Sequence, residues 1–414
     1  MELLSVEQAR ERILSHFQPV RTETLPITAC LYRVLAENIV AANDFPPFDN
    51  SSMDGFAIRS ADVVDSKADS PRSLRVVADI PAGSNPTFSL APGEAARIMT
   101  GAPLPEGADA VVPVEDTSFD NRDAGTPAPS EVQIFKPVNA GANRRPRGMD
   151  LRAGDVVLNP GRILKPQELG LLAMLGIPNV LVYRKPRVAL FSSGDELLEV
   201  DAPLQEGKIR DSNSYMLAAL IERAGAEVLR LGVAKDNHEA VQALLEKAID
   251  AGVDLILSSA GVSVGAFDFV KEVIESNGSM DFWRVNMRPG KPVAFGEYRN
   301  IPFIGLPGNP VSAFVGFEVF VEPAIQRLRG LFYESRERVW VRCEAQIDSD
   351  GRESYLRAQL RPDPNRENGG WIARLTGHQG SGNLYSLVQA NALLIIPAGV
   401  KCVPAGQELE AWLI

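Results

Sequence analysis

Cysteine, histidine and long apolar runs are what this 414-residue chain has least of. Its three cysteines, Cys30, Cys343 and Cys402, are too widely spaced for a disulfide framework or a CxxC metal pair. The three histidines, His16, His238 and His378, show no ligand spacing, which argues against a zinc centre and a Ser-His-Asp apparatus. No run approaches the ~18 apolar residues of a membrane span. The opening MELLSVEQARERI carries acids where a signal peptide needs an apolar core. Positive charge is short as well: 42 Lys and Arg against 53 Asp and Glu leave a net charge of −11. Such a balance suits neither nucleic acid nor an anionic membrane, so neither is expected as a partner. Together these absences predict a protein of the reducing cytoplasm.

What is present is ordinary globular composition, 45% hydrophobic and 23% charged, long enough for two to four domains. The 34 glycines and 30 prolines are spread along the whole chain, which predicts many turns rather than one linker. Ser5 and Gln8 form a capping-box pattern ahead of Val6, Ala9, Ile13, Leu14 and Phe17 at helical spacing. Short β-rich pieces between about residues 75 and 138 alternate with turns, with an exposed loop at 121–130. A second helix is expected from Pro166, stopped at Gly176. Residues 1–45 and 140–183 then read as a discontinuous linking domain around a β-rich insertion at 46–139.

Residues 184–330 alternate strand and helix, the pattern of a three-layer α/β domain with a mostly parallel sheet. One of its helices is expected to be capped by Asp236. Beyond residue 331 only strands are expected (RVWVRCEA, SYLRAQL, GWIARLT, ALLIIPAG, ELEAWLI), a β-barrel or sandwich.

In an open α/β sheet, ligands bind beyond the carboxyl ends of the strands. Four such ends are enriched here: SGDEL (Ser193, Gly194, Asp195, Glu196), AGVSVGAFDFVK (Gly261, Ser263, Gly265, Asp268, Lys271), RPGKP (Arg288, Lys291) and PGNPVS (Pro307, Pro310). A Gly/Ser turn entering a helix offers unpaired N–H groups to a phosphate, and nearby lysine or arginine adds charge. Carboxylates on the same rim suit Mg²⁺, which shares oxygen ligands with phosphates. Each piece also has a plain reading: a glycine turn after a strand, or an N-cap at Asp211 or Asp236. Outside this domain, Asp54 lies in PPFDNSSMDGFA, Thr100 at a strand-to-turn junction, and Asp150 after the arginines of NRRPRGMD. Those three segments read equally well as a loop, a turn and a solvated face.

PPFDNSSMDGFA, MTGAPLPEGADAVV, SSGDEL, SAGVSVGAFDFVK, RPGKPVAFG and GLPGNPVSA occur in one order from residue 46 to about 313. The set resembles the molybdopterin molybdenumtransferase family, which includes the E domain of gephyrin, and the resemblance covers essentially the whole chain. It implies a molybdopterin-binding-like α/β domain, a β-rich insertion, a discontinuous linking domain and a C-terminal β-barrel domain. It implies insertion of molybdate into adenylylated molybdopterin with release of AMP, assisted by Mg²⁺, in a homodimer whose site is shared between subunits. The family's acidic and hydroxyl positions fall on Asp54, Thr100, Asp150, Glu196, Asp236 and Asp268, with Glu196, Asp268 and Asp54 as the expected metal ligands. Ser193, Gly194, Asp195, Asp236, Gly261, Ser263, Gly265, Lys271, Arg288, Lys291, Pro307 and Pro310 are the expected substrate-binding positions. Thr100 and the arginines from Arg144 to Arg147 are candidate donors to molybdate. The upstream adenylyltransferase is an expected partner.

The sequence departs from the family at Ser193, Phe56, Arg288, Val270 and Ala260. Ala260 replaces the first glycine of a GGVSVG loop; a positive φ there would cost on the order of 1 kcal/mol. Two alternatives carry different signatures. A molybdopterin adenylyltransferase would need only the α/β domain, and a gephyrin-like scaffold would bring a fused adenylyltransferase domain.

Overall fold

A computed structural model describes residues 4–119, 125–260, 266–331, 337–363 and 369–414. The chain separates into two compact units, one of residues 1–37, 160–173 and 177–414, the other of residues 38–159 and 174–176.

In the larger unit, six strands form a sheet in the order Glu227–Ala234, Arg187–Ser193, Leu255–Ala260, Ile301–Leu306, Pro292–Tyr298 and Gly278–Arg284. The first four are parallel and Pro292–Tyr298 alone runs against them, antiparallel to both its neighbours, so the mostly parallel expectation holds. Side chains alternate across a strand, and both faces are apolar. Val188 and Leu190 enter a core with Leu217 and Ile221, while Ala189 and Phe191 enter one with Val241 and Ile274. A sheet buried on both faces needs helices on both sides, which is the three-layer arrangement. Helices Asn213–Arg223 and Pro310–Gly316 cover one face, His238–Asp250 and Ala266–Asn277 the other.

The opening helix, Val6–Ser15, has the expected Ser5–Gln8 capping box, and its Val6, Ala9 and Ile13 join the first of these cores. Thr22–Pro26 then pairs with Asn179–Tyr183, closing a segment interrupted by the intervening unit. Helix Pro166–Met174 is stopped by Gly176 at φ 73°, as the sequence predicts. Downstream, Glu353–Pro362, Trp371–Leu375, Arg338–Cys343, Glu408–Leu413 and Ala392–Ile396 pair in that order, and the last pairs back with the first. That closure removes the open edges and makes a five-stranded barrel rather than a sandwich. A helix at Leu384–Val388, capped by Asn383, corrects the expectation of strands alone. Its five residues are too few for a helical period to stand out in sequence.

The smaller unit is built on a five-stranded sheet in the order Ala110–Pro113, Gly55–Ile58, Glu94–Ile98, Arg72–Ile80 and Glu131–Ile134. Phe56, Ile58, Val112 and Ile134 form its core on one face, Ala57, Ile80 and Val111 on the other.

Candidate functional site

At the carboxyl end of the α/β sheet, Ser193 closes its strand between Ala234 and Ala260 in the neighbouring strands. The chain turns sharply at Gly194, φ 144°, where a Cβ would stand 2.6 Å from the Glu196 carboxylate. Glycine is therefore the residue this turn accepts. Glu196 is exposed just beyond it.

A cleft of about 550 Å³ opens beside this turn, lined by Ser193, Glu196, Asn213, Ser259, Pro307 and Pro310. Leu384 and Gly382 from the barrel complete one wall. Asn213 ties the floor together: its Nδ2 donates to Ser259 Oγ at 2.8 Å and to Gly308 O at 2.7 Å. Its Oδ1 and the Ser193 Oγ are buried without a partner among the described residues. Buried polar atoms normally find partners, so these two are available to a ligand.

Asp195 and Asp236 face each other through reciprocal long contacts, each backbone N–H 3.4 Å from the other's carboxylate. The helix after Asp236 is capped by Asn237, whose Oδ1 accepts from Ala240 N at 2.8 Å, so the expected cap at Asp236 is corrected by one residue. Two adjacent side chains competed for that role, and only Asn237 reaches the free N–H. Asp211, one residue ahead of the N-cap Ser212, accepts from Ser214 N at 3.0 Å and so holds the first turn of its helix.

Released from capping, Asp236 keeps Oδ1 buried and unpaired. Burial pushes its pKa up; the Asp195 N–H opposes this, and the charges of Asp195 and Glu196 push the same way as burial. For a carboxyl raised in the fold, the stabilising protonated form is fully present below the ordinary 3.8 and is lost as pH rises through the folded value. Above that value the charge costs stability. Asp236→Asn is expected to raise the Tm at neutral pH, with the gain shrinking as pH falls toward about 4. Thermal unfolding across that range checks it; an unchanged neutral Tm would sink the repulsion argument.

The remaining expected residues of this domain are placed unevenly. Gly261, Ser263 and Gly265 lie outside the described residues, as does the side chain of Asp268. Ala260 ends its strand in register with Ser193, and its side chain lies outside the described residues. Lys271 stands 3.8 Å from Glu275 along its helix. Arg288 lies 4.0 Å from Asp350, and Lys291 is partly buried beyond Gly290, φ 99°. None of Asp195, Asp236, Lys271, Arg288 or Lys291 lines the cleft itself.

Sequence reasoning missed Arg357, a fully buried arginine whose guanidinium is held by three backbone carbonyls and a serine. Burial, and then the charge of Arg288, lower its pKa to about 10. It sits mid-strand in SYLRAQL, where an arginine reads as an outward-facing residue. No sequence signal marks it.

In the smaller unit, Asp54 precedes its strand and its Oδ1 accepts from Thr100 N at 2.7 Å and Thr100 Oγ1 at 2.8 Å. The two residues, 46 apart in sequence, thus form one corner. The arginines of the run Arg144 to Arg147 are each paired with a carboxylate. Arg144 pairs with Asp49 and Arg145 with Asp150 at 2.5 Å, and Arg147 with Asp44 at 2.6 Å. Each arginine has a carboxylate of its own unit, a demand that the cluster of basic letters does not reveal. Among the described residues of both units, no group of three His, Cys, Asp or Glu side chains could hold a metal ion.

Three family models match the chain in succession: the MoeA N-terminal region (domains I and II) at 4–176, a probable molybdopterin binding domain at 189–327, and the MoeA C-terminal region (domain IV) at 341–414. A molybdopterin molybdenumtransferase of Nostoc sp. is 41% identical, covering 94% of this chain and 88% of its own. Molybdopterin molybdenumtransferase 2 of Mycobacterium tuberculosis is 38% identical over 99% of both chains. Among solved structures, a molybdopterin biosynthesis MoeA protein from Pyrococcus horikoshii superposes with a TM-score of 0.83 at 31% identity, covering 100% of both chains.

Proposed function

The chain belongs to the molybdopterin molybdenumtransferase family, and we propose from that premise that its strand-end cleft takes the adenylylated form of molybdopterin and releases AMP. Insertion of molybdenum into molybdopterin is the reaction of this transferase class. The observation that supports the reading is the cleft itself. Its volume is in the range of small-molecule sites, and the unpaired Ser193 Oγ and Asn213 Oδ1 lie in its lining. Those two atoms can accept from ring or hydroxyl donors of the substrate, while Pro307 and Pro310 shape the opposite side.

Substrate anions need local cations on this acidic chain. Arg288 and Lys291, both in the RPGKP loop, are the proposed cations. The Thr100 hydroxyl remains the proposed contact to molybdate on the other unit.

Mg²⁺ is the ion proposed for the carboxylates of this rim. Asp236 Oδ1 is buried and unpaired, and Asp195 and Glu196 both act to raise its pKa, so added positive charge is favourable there. When bound, the ion would offset charge on phosphate oxygens. Glu196 is the proposed ligand at the cleft, joined by Asp268 and by Asp54 of a second copy. A homodimer in which each copy completes the other's site is part of this proposal. So are a cytoplasmic location and supply of the substrate by an adenylyltransferase. Among the described residues, no helix is long and apolar enough to cross a membrane.

Supplying adenylylated molybdopterin, molybdate and Mg²⁺ and measuring AMP and active cofactor tests the reading. Glu196→Ala is expected to lower kcat about 100-fold, and chelation is expected to stop AMP release. A chelator-insensitive rate contradicts the Mg²⁺ proposal. Mixing unfolded-and-refolded Asp54→Ala and Glu196→Ala chains should restore up to about a quarter of the wild-type activity if the site is shared. No restoration would place both residues in one copy's site.

A further inference from the structure

We propose that the opposite pole of the α/β domain holds a second anion site, one that takes a small phosphate-bearing molecule. Arg187, Glu227 and Gly252 stand at or just before the amino ends of three parallel strands. The seven residues of Arg187–Ser193 separate this pole from the substrate cleft by about 20 Å. A cavity of about 470 Å³ opens there.

Five cations line it: Arg21, Arg33, Arg184, Lys185 and Arg187, against two carboxylates, Glu23 and Glu227. Three of the cations are fixed in place. Arg184 forks onto Asp254 at 2.5 and 2.8 Å, Arg187 donates to Ala251 O at 2.5 Å, and Arg33 donates to Tyr183 O at 2.8 Å and pairs with Glu23. Arg21 and Lys185 are exposed and make no side-chain hydrogen bond or ion pair among the described residues. Behind Arg33, Arg329 donates to Ala224 O and Tyr32 O, and burial and then Arg33 lower its pKa. Counting Arg329 and Asp254, six positive charges meet three negative ones (6 − 3 = +3). That surplus stands on a chain whose net charge is −11.

Fixed guanidiniums below and free cations at the mouth are what a multiply charged oxyanion needs. Little ordering is required of the floor, and the two free side chains can close over the ligand. A cavity of this volume admits a nucleotide-sized molecule. The ligand class is therefore a phosphate-bearing small molecule, organic or inorganic.

Calorimetric titration of the full-length protein with inorganic pyrophosphate and, separately, with ADP tests the site. The double variant Arg21→Ala/Lys185→Ala is expected to bind pyrophosphate at least about 10-fold more weakly. Its ligand-free Tm and its cofactor-forming rate should match the wild type, since neither residue touches the cleft. A parallel loss for ADP assigns the site to organic phosphates, and a loss for pyrophosphate alone to inorganic ones. Undiminished binding of both ligands by the double variant overturns the proposal, as does wild-type protein that binds neither at millimolar concentration. Glu196→Ala, which alters the substrate cleft, should leave the pyrophosphate affinity of this pole unchanged. A loss in that variant instead would place the ligand in the cleft and overturn the site.

Discussion

Arg357→Ala is expected to lower the stability of the chain by on the order of 4 kcal/mol and to raise KM for the molybdopterin substrate. The side chain is fully buried. Its Nε donates to Ser386 Oγ at 3.1 Å, Nη1 to Gln379 O at 3.2 Å, and Nη2 to His378 O at 3.2 Å and Gly380 O at 2.9 Å. Removing it strands those acceptors away from water and leaves a cavity. The consequence reaches the cleft through the chain that follows. Ser381 O accepts from Val311 N at 3.0 Å, and Gly382 and Leu384 line the cleft wall. A loosened loop therefore costs both folding and binding. Lysine keeps the charge but lacks the planar fork, so Arg357→Lys should fall between wild type and alanine. Denaturant unfolding with steady-state kinetics measures both effects. A stability loss below about 1 kcal/mol would show that the loop holds its shape without the arginine.

Gly55→Ala is expected to destabilise the smaller unit by about 3 kcal/mol. Gly55 pairs with both neighbouring strands, and a Cβ there would stand 2.0 Å from Val112 O and 2.9 Å from its carbonyl carbon. Backbone has to move, because nothing flexible is in the way. The residue before it is Asp54, so movement also pulls the Asp54–Thr100 corner apart, and cofactor formation should fall with stability. Gly170 is the control. It lies within helix Pro166–Met174 with nothing within 4 Å of its would-be Cβ. Gly170→Ala is expected to be neutral or to stabilise by up to about 1 kcal/mol. Hydrogen exchange over residues 50–60 and 94–113 reads the first effect directly. Equal protection in wild type and Gly55→Ala would refute the clash.

Much of the architecture was legible because its signals are local. The capping box at Ser5, the stop at Gly176 and the alternation of strand and helix from 187 onward all depend on neighbours within a few residues. The same holds for the glycine turn at SGDEL, which places Glu196 beside a strand end. Where two residues competed for one local role, pattern failed. Asp236 and Asn237 are both good caps, and choosing between them needs the direction of the helix. The pairing of the arginine run was hidden for a related reason: its partners Asp44 and Asp49 lie about a hundred residues earlier.

Taken alone, the sequence determined the family and the α/β domain with its loaded strand ends. Short-range periodicity and six motifs in order carry that information. The tertiary structure decided what each polar group does once water is removed. It closed the C-terminal strands into a barrel, paired the arginines of the smaller unit, and buried Arg357 under a loop that reaches the cleft. It also gathered Arg21, Arg33, Arg184, Lys185 and Arg187 at the pole opposite that cleft. Burial and long-range pairing set the cost of every charge, and neither is written in the spacing of residues along a chain.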